Sequence, residues 1–108
     1  MNRAAILVAL LLLAACVHDV RSDDRLARSI EASVTLPASA FALTSYRRYY
    51  AWVDGKRDTV EAVYDRSGPP KRLWLPHDEL PIILDGGCSV VHFNYEVVSR
   101  TVHELRCN

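Results

Sequence analysis

The fold is decided by residues 88–107, CSVVHFNYEVVSRTVHELRC. Apolar and polar side chains alternate from residue 91 to residue 97, and the apolar set is Val91, Phe93, Tyr95 and Val97. Such alternation indicates a half-buried β-strand. A turn near Val98 and Ser99 returns the chain, so that residues 101–107 run back beside this strand. The segment therefore predicts a C-terminal β-hairpin.

Further strands and one helix are predicted upstream of this hairpin. Residues 49–65 hold two runs of β-forming residues around an Asp-Gly pair, which is a strong hairpin signal. Residues 71–75 predict a short strand, and residues 82–84 a brief buried segment between proline and glycine breakers. An apolar stripe at a spacing of four predicts a short helix over residues 24–35, carrying Leu26, Ile30 and Val34. The fold class is therefore α+β: a small antiparallel β-sheet of four or five strands with at most one short N-terminal helix.

The N-terminus, residues 1–16, reads MNRAAILVALLLLAAC. Arg3 gives a short positive head, and the apolar run after it would span about 18 Å as a helix, well short of a bilayer core of about 30 Å. This pattern is typical of a secretory signal peptide. Its end, LAAC at residues 13–16, resembles a bacterial lipobox. The resemblance implies that diacylglycerol is attached to the Cys16 sulfur and that cleavage follows before Cys16.

The same resemblance implies that the protein is located in the bacterial envelope. Val17, rather than Asp, follows the cysteine, which in enteric bacteria favours the outer membrane, with the domain facing the periplasm. The alternatives are an ordinary signal peptide with a chance cysteine and a buried apolar helix. The expected organisation is a lipoprotein signal peptide at 1–15, a lipidated cysteine and tether at 16–25, and a small single domain at 26–108.

The other two cysteines, Cys88 and Cys107, form an even pair. In an oxidising compartment a disulfide is the expected state of such a pair, and it closes a loop of about 20 residues that contributes about 3 kcal/mol. A reactive thiol pair or two metal ligands are the alternatives, and no C-x-x-C motif favours either. If the cysteines lie opposite each other, the same register sets His92 opposite His103.

These two histidines are weak candidates for metal ligands. A stable zinc site needs three or four ligands, and the sequence assigns no third one to His92 and His103. Two solvent-facing histidines, with a mild response to pH, are the plainer interpretation. We therefore predict neither a metal nor a cofactor.

The most unusual stretch is residues 46–52, YRRYYAW, in which aromatic side chains are interleaved with arginine. This pattern suits a surface that grips a protein or a glycan. The competing interpretation is that Tyr50 and Trp52 pack in the core while the two arginines face water. The candidate binding surface consists of Tyr46, Arg47, Arg48, Tyr49 and Trp74.

Two loops invite a catalytic interpretation. His77-Asp78-Glu79 combines acid and base groups, but adjacent side chains rarely converge on one point, and no nucleophile motif accompanies them. Asp85-Gly86-Gly87 lacks the lysine and the helix of a phosphate-binding loop, so we expect a positive-φ bend that delivers the following cysteine to its partner.

The balance of charge narrows the function further. Thirteen basic and thirteen acidic residues give a net charge of zero, which argues against a nucleic-acid partner. The sequence therefore favours a non-catalytic envelope lipoprotein, a binding or accessory module whose partners are the membrane, through Cys16, and an envelope protein or glycan. The alternatives are a periplasmic inhibitor of a secreted enzyme, by analogy of size with the lipoprotein lysozyme inhibitors, a small hydrolase that uses the His77 loop, and a phage superinfection-exclusion lipoprotein.

Overall fold

The computed structural model describes residues 23–53 and 57–108. Within them, helix α1 covers residues 23–33, and a five-stranded sheet follows it. The strands are β1 (Arg47–Trp52), β2 (Thr59–Asp65), β3 (Arg72–Trp74), β4 (Val91–Glu96) and β5 (Thr101–Cys107). The predicted α+β class and the Cys88–Cys107 disulfide are confirmed. The signal sequence, the lipobox and the predicted turn at 54–56 lie outside the described residues.

The apolar stripe predicted for helix α1 faces the core of the domain. Ile30 is fully buried, and Leu26 and Val34 pack partly buried against the same core. Residues 23–25, which the sequence analysis gives to the tether, are already helical. Asp23 lies 3.8 Å from the guanidinium of Arg57, so the first described turn of α1 contacts the turn ahead of β2.

The sheet is mixed rather than purely antiparallel. Its order is β3-β1-β2-β4-β5, and β3 runs parallel to β1 while the other neighbouring strands are antiparallel. Both sides of β2 are paired, with β1 and β4, and β3 adds to the outer edge of β1. The loop at residues 66–71 carries the chain past the start of β1, and Gly68 lies against the side chain of Arg47.

The expected register of the C-terminal hairpin is wrong. Asn94, rather than His92, lies opposite His103, and His92 lies opposite Arg106. The pairing shifts between His92 and Asn94, where β5 has one residue more than β4, a β-bulge at which Glu104 adopts a φ of 55°. Cys88 does not lie in β4 and reaches its partner from a 3-10 turn ahead of the strand, so the disulfide does not set the register.

The bend before this turn follows the expectation for two adjacent glycines. Gly86 has a φ of 112° and Gly87 a φ of 56°, both in the region that residues with a Cβ avoid. A Cβ on Gly86 would approach Ser89 Oγ and a methyl of Val90 to 3.1 Å. The bend brings the Cα atoms of Cys88 and Cys107 to 4.6 Å from each other.

The two faces of the sheet differ in what covers them. The face under α1 carries an aromatic core, in which the rings of Tyr64 and Phe93 meet edge to face with centroids 5.2 Å apart. The opposite face, here called the open face, carries a smaller cluster, consisting of Ala51, Val63, Leu80 and Val90. Residues 76–86, the segment between β3 and the glycine bend, cross this open face.

One carboxylate joins α1 to the sheet. Glu31 accepts two hydrogen bonds from Arg72, at 2.7 and 2.9 Å, and one from the hydroxyl of Tyr50 at 2.8 Å. Arg48 adds its guanidinium at 3.5 Å. Because the Tyr50 proton goes to the carboxylate, the hydroxyl of Tyr64 donates to Tyr50, 2.7 Å away. A chain of hydrogen bonds thus leads from the Glu31 carboxylate on α1 to the two tyrosine hydroxyls in the core.

The surroundings of Glu31 favour its charged form. Burial by itself raises the pKa of the carboxyl, but hydrogen bonds from Arg72 and Tyr50 and the charges of Arg48 and Arg72 outweigh it, so the pKa lies below its usual value of 4.5. Burial likewise raises the pKa of Tyr50, which keeps its hydroxyl proton available to the carboxylate.

Replacing Glu31 with Gln should destabilise the fold. We expect the free energy of unfolding at neutral pH to fall by about 3 kcal/mol, because buried Arg48 loses its counter-charge. Urea denaturation measures this change. Glu79→Gln is the matched control, since Glu79 lies exposed in a turn and its substitution should leave the unfolding midpoint unchanged.

The loss of stability caused by Glu31→Gln should also depend on pH. Because the pKa of Glu31 is lower in the folded than in the unfolded chain, its contribution is complete above 4.5 and is lost as the pH falls through the lowered value. The stability curves of wild type and Glu31→Gln should therefore converge in acid. A difference that persists unchanged at acid pH would contradict this account.

Candidate functional site

A cavity of about 540 Å³ lies between the open face and residues 76–86. The floor is formed by side chains of β2, β4 and β5 that point away from α1, and the wall by the crossing segment. The polar lining consists of Glu61, His77, Asp78, His92, Asn94, Glu104, Arg106 and Asn108. Strand alternation selects the residues of β2 and β4, because every second side chain faces this side.

The bulge in β5 determines which of its residues reach the cavity. In an unbroken strand Glu104 would point toward α1, on the side opposite to its neighbour His103. The extra residue instead keeps Glu104 on the open face, where it accepts a hydrogen bond of 2.9 Å from the amide of Asn94. It also returns Arg106 to the open face, directly across from His92.

The charges of the lining are partly paired. His77 Nε2 lies 3.4 Å from Glu61 Oε2, so the crossing segment is joined to β2. Burial, and then the nearby charge of Arg106, lower the pKa of His92 below its usual value of 6.5. His92 is therefore neutral at physiological pH, and its Nε2 is buried without a hydrogen-bond partner among the described residues.

The wall of the cavity is held by the last residue of the chain. The side-chain amide of Asn108 donates to the backbone carbonyls of Ile83, at 2.5 Å, and Asp85, at 3.1 Å. Its backbone N–H contacts the carbonyls of Gly87 and Val90, each at 3.2 Å. The C-terminus thus fixes the crossing segment beside the disulfide.

The expectation that residues 82–84 are buried is wrong for two of the three. Ile83 packs against the small cluster of the open face, but the side chains of Ile82 and Leu84 are 88% and 90% exposed. Only one side chain in this apolar run faces the sheet, because the segment passes along the surface and its side chains alternate. The rim of the cavity is therefore apolar while its floor is polar.

The predicted Tyr-Arg surface is divided by the structure. Tyr46 is fully buried, where its hydroxyl donates to the carbonyl of Cys88 at 2.5 Å, and Arg48 is only 8% exposed beside Glu31. These two residues cannot form part of an exposed surface. The reason is strand alternation, which directs Arg48 toward the buried carboxylate rather than toward water.

The remaining members of that set are separated. Arg47 and Tyr49 are half-buried on the other side of β1, where Arg47 Nε donates to the Tyr49 hydroxyl at 2.9 Å. Trp74 stacks on Trp52, with ring centroids 5.9 Å apart, beside the aromatic core. The competing interpretation is correct for Tyr50, which lies in the core.

The histidine pair is also separated. His103 Nε2 lies 3.3 Å from Glu96 Oε2, whereas His92 faces Arg106, so the two imidazoles are not cross-strand partners. Over residues 23–53 and 57–108, no group of three or more His, Cys, Asp or Glu side chains is arranged to hold a metal ion.

Several cavity residues were missed by the sequence analysis. The polar face of β4 pointed to Asn94, but nothing local indicated that Glu104, Arg106 and Asn108 would join it. Their convergence depends on the bulge and on a segment that arrives from β3. The His77 loop and His92, considered apart in the sequence, line the same cavity.

Comparisons with protein-family models, curated proteins and solved structures found no match to this chain. Within the described part of the chain, no helix combines the length and the apolar character needed to cross a membrane.

The protonation of His92 provides a test of this geometry. We expect its imidazole to titrate below 6.5 by NMR, because burial and Arg106 both disfavour the charged form. Arg106→Gln should raise the pKa toward that value, whereas Arg25→Gln, on exposed α1, should leave it unchanged.

The lowered pKa of His92 also makes the folding stability depend on pH. Since the folded state binds this proton less readily than the unfolded chain, the contribution of His92 is complete above pH 6.5 and falls as the pH drops toward the lowered pKa. An imidazole that titrates at or above 6.5 would contradict the position of His92 beneath the crossing segment.

Proposed function

We propose that this chain is a bacterial envelope lipoprotein, anchored through lipid on Cys16, whose domain is a non-catalytic binding module. The observation that carries the binding role is the cavity on the open face, with a polar floor and an apolar rim formed by Ile82 and Leu84. Such a combination suits recognition, because apolar area supplies affinity and a few fixed polar groups supply orientation.

The chemistry of the lining favours binding over hydrolysis. Described side chains of the cavity include carboxylates, amides, imidazoles and one guanidinium, and none of them is a Ser, Thr or Cys hydroxyl or thiol. His77 and Glu61 form a pair that can exchange a proton, but no nucleophile of this kind accompanies it within the described lining. Hydrogen-bond donors and acceptors in fixed positions are what a recognition site needs.

The disulfide supports the proposed location in the periplasm. A bond between Cys88 and Cys107 persists in an oxidising compartment such as the periplasm. Residues 17–22 separate Cys16 from the first described residue of α1, and they span at most about 20 Å. The proposed location is the outer membrane, with the domain held near the membrane surface and facing the periplasm.

A second candidate function is inhibition of a secreted enzyme. It is favoured by the exposure of Ile82 and Leu84 on a segment that the scaffold holds in place. An inhibitor must offer a preformed contact to its target, because preorganisation lowers the ordering cost of binding.

Lipid attachment can be tested in cells that express the full chain. We expect incorporation of labelled palmitate, processing that stops in the presence of globomycin, and mass-spectrometric detection of lipid on Cys16. Cys16→Ser should abolish all three. The double variant Cys88→Ser/Cys107→Ser is the matched control and should keep the label. A processed chain that lacks lipid would contradict the proposed anchor.

Binding at the open face can be tested by photo-crosslinking in the same cells. A benzophenone amino acid in place of Arg106 should give discrete crosslinked products, because Arg106 lines the cavity. The same substitution at Arg25, an exposed arginine on α1, is the control and should give none. Equal products from both positions, or none from Arg106, would contradict a binding role for the cavity.

A further inference from the structure

The crossing segment carries two exposed aliphatic side chains, which also form the rim of the cavity. Ile82 and Leu84, two residues apart, present large aliphatic side chains that are 88% and 90% exposed, while Ile83 between them faces the protein. Residues 81–86 contain no helix, strand, turn or bend. This alternation is that of an extended chain, whose successive side chains point to opposite sides.

The scaffold holds this extended chain at three points. The amide of Asn108 bonds the carbonyls of Ile83 and Asp85, the two residues that flank Leu84. Ile83 packs against the open-face cluster, and a short distance downstream Cys88 is bonded to β5. Leu84 is therefore fixed from beneath, with its side chain directed outward.

We infer that residues 81–85 dock, in the manner of a substrate, into the groove of a peptidase whose specificity pocket accepts a large aliphatic side chain. Leu84 would fill that pocket, and Ile82 would occupy the subsite two residues before it. This inference deepens the second candidate function proposed above and does not depend on the lipid anchor.

The physical fit is between an extended ligand and a groove that binds extended chains. Peptidase grooves pair with the substrate backbone as an added strand, and alternate side chains enter successive pockets. A segment already held extended by Asn108 loses little conformational freedom on docking. A flexible loop of the same sequence would bind more weakly and would be cut.

The position of Asn108 also bears on cleavage. Hydrolysis of the Leu84–Asp85 peptide bond adds one water and leaves a carboxylate on Leu84 and an amine on Asp85. Asn108 holds the carbonyls of Ile83 and Asp85, on either side of this bond, so the new ends would stay together. Asn108 is thus a positioning residue, which favours inhibition over turnover.

The test uses the full-length protein, purified in mild detergent and titrated against chymotrypsin and subtilisin with a chromogenic peptide as reporter. We expect the wild-type protein to inhibit at least one of them, and Leu84→Asp to weaken inhibition by at least about 30-fold. Val98→Asp is the matched control, because Val98 is 85% exposed in the turn between β4 and β5. Leu84→Arg should transfer inhibition to trypsin.

Three results would overturn the inference. The first is a wild-type protein that inhibits neither peptidase, and the second is equal inhibition by Leu84→Asp and Val98→Asp. A dimer that dissociates in Leu84→Asp would also overturn it, by showing that a second copy covers the segment. Unchanged thermal unfolding midpoints for both variants confirm that they fold.

The role of Asn108 has its own readout. Asn108→Ala should be cut at the Leu84–Asp85 bond about tenfold faster than wild type, as followed by mass spectrometry, because two hydrogen bonds are lost. Cleavage at an unchanged rate would remove Asn108 from the proposal. If crosslinking from Arg106 succeeds while peptidase inhibition fails, the binding role stands and this inference alone is overturned.

Discussion

The covalent bond between Cys88 and Cys107 is the constraint on which the open face depends. It ties the turn ahead of β4 to the end of β5 and so fixes where the crossing segment must finish. Asn108, the next residue after this bond, is thereby brought to the carbonyls that it holds. Without this bond, no covalent link would hold the residue that follows Cys107 close to residues 83–85. The cavity wall and the exposed aliphatic pair both rest on it.

The face of the sheet that α1 covers is held by different interactions. There the aromatic core and the Glu31 network hold α1 against the sheet, so the contacts of the helix lie on one side of the sheet and the cavity lies on the other. The buried carboxylate contacts two arginines and a tyrosine hydroxyl, and its loss would leave the buried charge of Arg48 unpaired. A rigid platform of this kind allows the open face to keep polar groups and apolar side chains in water without losing the fold.

The sequence was most informative where the pattern was local and strictly periodic. Alternation in β4 predicted which side chains are buried, and the stripe in α1 predicted its inward face. It failed where geometry depended on distant partners. The extra residue in β5 shifts the pairing of His92, and no local signal distinguishes a strand with a bulge from one without it.

The errors at the candidate sites have the same origin. The adjacent arginines after Tyr46 suggest an exposed surface, but Arg48 lies buried beside a carboxylate seventeen positions earlier in the chain, that of Glu31. The run Ile82-Ile83-Leu84 resembles a buried strand, yet only its middle residue finds apolar contacts. Whether a side chain is buried depends on contacts with residues distant in the sequence, so the local sequence predicts neither outcome.

The topology separates the two ends of the domain in a way that suits the proposed anchor. Asp23, at the start of the described helix, lies beside Arg57 just ahead of β2. That end of the sheet also carries the turn between β4 and β5, since Thr59 pairs with Glu96 and Glu96 with Thr101. The disulfide and the segment held by Asn108 lie at the other end, about 20 Å away along the strands. If the chain is held through Cys16 as proposed, the exposed aliphatic pair lies at the end of the sheet farther from the first described residue after that anchor.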